Sequence, residues 1–99
     1  MGILADIKAF FHSLFGRLPL TDQEKAAALQ KKAMEFGEEL DWRHSIVDLM
    51  KLTGQDSSLA ARARLAKEVG FVGQFTGTAD ENEWLYEEVW SRLGLKDFP

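Results

Sequence analysis

The chain has 99 residues and 45% apolar content, enough for one hydrophobic core and too short for two independent domains. Its 12 basic and 16 acidic side chains leave a net charge of −4, which offers no general attraction to a phosphate backbone, so nucleic acid is not an expected partner. Cysteine is absent, which excludes a disulfide framework, a thiol nucleophile and a thiolate metal site, and leaves the redox compartment open.

From the N-terminus, Ile3, Leu4, Ile7, Phe10, Phe11, Leu14, Phe15 and Leu18 recur at helical spacing within an arc of roughly 140°. The spacing predicts a strongly amphipathic helix over 1–18. Its opposite face holds Ala5, Ala9 and Gly16, without the row of Lys or Arg that a membrane-surface helix carries. The stripe is therefore expected to pack on the rest of the domain or on a second copy, with a lipid surface the weaker alternative. No apolar run reaches the ~18 residues that span a bilayer, and the start lacks the basic region and cleavage site of a signal peptide. The cytoplasm is the default expectation. Gly2 does not make a myristoylation site, because Asp6 stands where that motif has Ser or Thr.

Pro19 ends the first helix, since proline has no N–H to give and pushes the residue before it out of the helical region. Thr21 and Glu24 form a capping box for a second helix whose buried stripe, Ala26, Leu29, Ala33 and Phe36, runs up to Gly37. Leu40 to Arg43 reads as an extended approach in which Trp42 plugs the core. Ser45, with Asp48 three residues later, caps a third helix from about Ile46, and Gly54 closes it. Asp56, Ser57 and Ser58 offer adjacent N-cap oxygens for a fourth helix reaching about Val69, where Gly70 stops it and Phe71 folds back on Leu65 and Ala66. The glycine-rich stretch 70–78 is expected to be irregular, anchored by Phe71 and Phe75. Thr78 and Glu81 repeat the capping box for a last helix from Ala79 to about Leu93, closed by Gly94 with Leu95 folding back. Leu85, Val89 and Leu93 mark its buried stripe, while Trp84, Tyr86 and Trp90 point several other ways. Such a helix is either buried by more than one neighbour or exposes a contact surface.

These signals predict an all-α fold, a compact bundle of about five short helices. It divides into an amphipathic helix at 1–18 and a helical domain at 19–99, with a core near Trp42, Ile46, Leu49, Leu59, Leu65, Phe71, Leu85 and Val89. The short middle helices must be packed on others, because helix nucleation is too costly for them to stand alone.

The residues give no sign of catalysis. His12 and His44 have no second ligand or nucleophile at a recognised spacing. The carboxylates Glu38, Glu39 and Asp41, and Asp80, Glu81, Glu83, Glu87 and Glu88, match no calcium loop and read as solvated faces. No metal or cofactor is expected. The helix, Gly54 turn and Ser-led helix resemble a helix-turn-helix, but Met50 stands where close crossing needs a small residue and Gln55 where an apolar one normally follows. That packing and the acidic total argue against DNA.

The stretch LDWRHSIVDLMKL, followed by QDSSLAARARLAKEVGF and the tryptophan of NEWL, resembles a family of small bacterial proteins catalogued only as a domain of unknown function, the likeness running over 40–89. Within it, SIVDLMKLTGQDSSLAARARLA with FTGTADEN is similar to a short module appended to phage and bacterial peptidoglycan hydrolases. That resemblance implies a non-catalytic binding module associated with peptidoglycan or the envelope, for which Trp84, Tyr86, Trp90, Arg62 and Arg64 are the candidate binding surface. The alternative is an intracellular protein-interaction domain that forms a homo-oligomer through Ile3, Ile7, Phe10, Phe11, Leu14 and Phe15.

Overall fold

In the computed structural model, which describes residues 2–16 and 20–93, five helices surround one core: α1 (Ile3–Phe15), α2 (Asp22–Met34), α3 (Ile46–Leu52), α4 (Leu59–Glu68) and α5 (Ala79–Arg92). No strand occurs among the described residues, and the fold is all-α. Expectations that fall on Leu18, Pro19, Gly94 and Leu95 lie outside the described residues.

Each of the last four helices begins on a side-chain hydroxyl, the expected one at α2, α3 and α5 and, at α4, one of three oxygens that the sequence left open. Thr21 and Thr78 accept from the N–H groups of Glu24 and Glu81, whose carboxylates take the cap N–H in return. Ser45 accepts from the Asp48 N–H. The fourth helix starts on Ser58, whose hydroxyl accepts from the Ala61 N–H. Asp56 is therefore not the cap itself. Its carboxylate instead accepts from the N–H and hydroxyl of Ser58 and so holds the cap in place.

The ends of α3 and α4 are Schellman motifs. Gly54 and Gly70, at φ 78° and 97°, turn the chain through the left-handed region. The N–H of Gln55 then donates to the Met50 carbonyl and that of Phe71 to the Ala66 carbonyl, which satisfies carbonyls the helices leave open.

The core is a continuous set of side chains drawn from every helix, with α1 packed on α4 and α2, and α3 on α5. Trp42 is 1% exposed, as expected of a plug, and its indole N–H donates to Gln30 Oε1. The bend that delivers it is made by the N–H groups of His44 and Ser45, which both donate to the Asp41 carbonyl. Leu59 and Phe36, both expected to face inward, are not in the core, and Phe71 is only partly buried against it. Leu59 stands on the first turn of α4 and is 46% exposed. Phe36 is exposed because α2 ends at Met34 and the chain bends, so the helical phase that would have turned it inward is lost.

Candidate functional site

Helices α3 and α5 pack side by side, and a cleft of about 610 Å³ opens along their junction. One wall comes from the 41–44 bend and the first turn of α3, with Arg43, His44 and Val47 facing the cleft. The other comes from α5, with Asn82, Glu83 and Glu87. Tyr86 lies between them, and its hydroxyl donates to the Trp42 carbonyl at 2.8 Å, which ties the bend to α5. Burial pushes the Tyr86 phenol well above its ordinary value, so it remains a neutral hydrogen-bond donor.

A turn over 42–44, in place of the extended approach expected from the sequence, explains the first wall. Trp42 enters the core while Arg43 and His44 face outward, and the Arg43 guanidinium lies over the Trp42 ring at 4.5 Å from its centroid. Such stacking orients a planar cation while leaving its N–H groups available. The His44 ring places Nδ1 3.0 Å from Asp41 Oδ1. On the second wall, Asn82 is fixed from both ends. Its Oδ1 accepts from Arg62 Nη1 at 2.8 Å, and its Nδ2 donates to the Gly77 carbonyl at 3.3 Å. The start of α5 is held further by Glu81, whose carboxylate is kept below its usual range chiefly by the Thr78 N–H, with Thr76 adding bonds of its own.

The surface expected from Trp84, Tyr86, Trp90, Arg62 and Arg64 does not form as one patch. Trp90 is 4% exposed, enclosed by Phe11 at 5.6 Å and Trp42 at 6.5 Å between ring centroids, and belongs to the core. Trp84 is half-buried on the other side of α5, edge-on to Phe71 at 5.2 Å. Helix α5 thus carries aromatics on several sides because more than one neighbour covers it. Arg62 is a structural brace, donating from Nε to the Ser57 carbonyl as well as to Asn82. Arg64 is exposed and does not line the cleft. Of the five, Tyr86 alone lines it.

The association surface is corrected in the same way. Ile7 and Phe11 are 0% and 4% exposed, inside the protein's own core. Ile3, Phe10, Leu14 and Phe15 are partly buried against it. The apolar stripe is turned inward because α4 and α2 cover it.

Sequence reasoning did not single out Arg43 and read Glu83 and Glu87 as part of a solvated face, because charges on exposed positions carry no local mark of what faces them. One signal was available for Arg43, its place beside a tryptophan expected to plug the core. Among the described residues no three His, Cys, Asp or Glu side chains are grouped to hold a metal ion, and no helix is long and apolar enough to cross a membrane.

The family model for a domain of unknown function, DUF3597, matches residues 17–96. The chain belongs to this family. The DUF3597 match spans both walls of the cleft and all of α2 to α5, but not α1. The fold is also similar to the solution structure of a conserved unknown protein from Rhodopseudomonas palustris, at 32% identity and a TM-score of 0.71. That similarity covers 100% of this chain and 95% of the other, so it takes in α1 as well as the DUF3597 region. No curated protein matches the chain.

Proposed function

We propose that this DUF3597 chain is a non-catalytic binding module of the cell wall or envelope, and that the cleft between α3 and α5 is its contact surface. The observation that carries the reading is a convergence. The two segments read as resembling the hydrolase-appended module, SIVDLMKLTGQDSSLAARARLA and FTGTADEN, supply opposite walls of one cleft, through Ser45 to Val47 at the start of the first and through Ala79 and Asn82 in the second.

A binding role suits the way the cleft's polar groups are used. The Ser45 hydroxyl accepts from a helix N–H, the Tyr86 phenol holds the bend, and Asn82 is braced at both ends. Groups with the chemistry of a nucleophile are thereby given to shape, and His44 has Asp41 rather than a hydroxyl beside its Nδ1. Apolar surface with a few fixed polar groups is the usual makeup of a recognition site.

Co-sedimentation of the full chain with purified peptidoglycan sacculi tests the proposal. Saturable depletion from the supernatant is the expected result. Protein that stays in solution at every sacculus concentration overturns it.

A further inference from the structure

Opposite charges line the cleft without meeting. Arg43 lies over the Trp42 ring and forms no ion pair among the described residues. Glu83 and Glu87, one turn apart on α5, are exposed and likewise form none. Elsewhere on the surface charged neighbours do pair: Lys51 with Glu38 at 3.1 Å, Arg92 with Glu88 at 2.7 Å, and Lys32 with Glu35 at 3.4 Å. Val47, Ala79 and Tyr86 line the same cleft and give it apolar surface.

This arrangement discriminates among ligands by elementary electrostatics. An anion drawn to Arg43 meets repulsion from the glutamates, and a cation drawn to the glutamates meets Arg43. A neutral sugar covering the cleft would strip water from all three charges and return no charge partner, a desolvation that costs binding energy. A ligand with both signs satisfies both walls. A carboxylate matches the flat fork of the Arg43 guanidinium, an ammonium matches Glu83 and Glu87, and short aliphatic groups between them cover the apolar floor.

We propose that the cleft recognises a short peptide bearing a free carboxylate and a free amine. In the setting of the wall this is the peptide stem rather than the glycan strand, an inference that rests on the wall-binding reading above.

The test is a ¹H–¹⁵N NMR titration of the full chain with a disaccharide tetrapeptide released from sacculi, whose diaminopimelate amine and terminal carboxylate are free. Chitotetraose and the same tetrapeptide with its amine acetylated are the comparison probes. Saturable shifts at Val47, Asn82 and Tyr86 are expected with the free tetrapeptide. Affinity should fall at least about tenfold in Arg43→Gln, in the double variant Glu83→Gln with Glu87→Gln, and on acetylation of the probe, since each change removes a charge-assisted contact. The glutamates are exposed, so the double variant keeps its fold even if Arg43→Gln loosens the packing on Trp42; thermal melts verify this. Chitotetraose binding at the same residues overturns the inference, as does undiminished tetrapeptide affinity in the double variant. If wild type and double variant both co-sediment with sacculi while the tetrapeptide binds neither, wall binding stands and the cleft assignment falls. If the wild type neither sediments nor binds, both fall.

Discussion

Helices α3 and α4 are bounded by residues next to them in the chain, whereas the start of α1 is bounded by a residue that lies 65 positions from Ile3 in the sequence. Ser45, Gly54, Ser58 and Gly70 each act on a helix end within a few positions. At the start of α1 the cap residue is Gly2, which has no side chain to offer. The orphan N–H groups of Ile3 and Leu4 donate instead to the two carboxylate oxygens of Glu68, at 3.0 and 2.9 Å, from the last turn of α4. A helix capped locally can be placed from its own sequence. A helix capped from another element takes its place only when the core forms, and its apolar stripe announces that it will be covered without naming the cover.

The largest way to break this comparison is to remove what α1 puts into the core. Phe11→Ala should lower the unfolding free energy by about 3–5 kcal/mol, the usual loss for a buried aromatic. That is a large share of the ~5–15 kcal/mol a domain has in total. Deleting residues 1–16 should do more, because Trp90 and Ala66 would lose their cover and the near-UV circular dichroism of packed aromatics should vanish. If α1 were instead the self-association surface of the alternative reading, the remainder would stay folded and monomeric. A truncated protein that unfolds cooperatively at the full-length urea midpoint would restore that reading and make α1 an appendage.

The second effect is smaller and isolates the distant cap. Glu68→Ala should destabilise by about 1 kcal/mol, as for a lost N-cap, with Glu68→Gln milder because one carbonyl acceptor remains. A Cβ on Gly2 would come within 2.8 Å of Glu68 Oε1, so Gly2→Ala should push the carboxylate aside and produce part of the same loss. The double variant Gly2→Ala with Glu68→Ala should then cost less than the two single losses added together. Amide hydrogen exchange at Ile3 and Leu4 is the direct readout, and unchanged protection there in Glu68→Ala would remove the cap.

Set beside these, the legible part of the molecule is the part with local chemistry. The capping boxes at Thr21 and Thr78, the Ser45 cap and both Schellman glycines are visible in the sequence, because each joins residues within one or two turns. Trp42 is legible for a related reason, since a tryptophan between two helix signals has little alternative to the core. Trp90 is not: it lies off the stripe of Leu85 and Val89, and rings distant in the sequence, Phe11 and Trp42, help to bury it. The cleft is less legible still. It exists because the Tyr86 hydroxyl reaches the carbonyl of Trp42, 44 residues earlier, and no periodicity records a contact of that span.

The smallest effect separates a cap from its support. Ser45→Ala and Ser58→Ala should each destabilise by about 1 kcal/mol, since both remove a hydroxyl that accepts from a helix N–H. Asp56→Ala should cost less than Ser58→Ala, because Asp56 only positions the Ser58 hydroxyl and backbone. The two are distinguished by acid. The Ser58 N–H, the foremost cause, together with the Ser58 hydroxyl, lowers the Asp56 carboxyl from its ordinary value of 3.8. A folded-state pKa below the unfolded one means that the carboxylate contributes in full above the unfolded value and loses its contribution as pH falls through the folded one. The gap between wild type and Asp56→Ala should therefore close between neutral pH and about pH 2, while the gap for Ser58→Ala, which has no titrating group of its own, should narrow far less. Urea midpoints at the two pH values measure both gaps. An Asp56→Ala gap that is unchanged in acid would mean that this exposed carboxylate does not hold the start of α4.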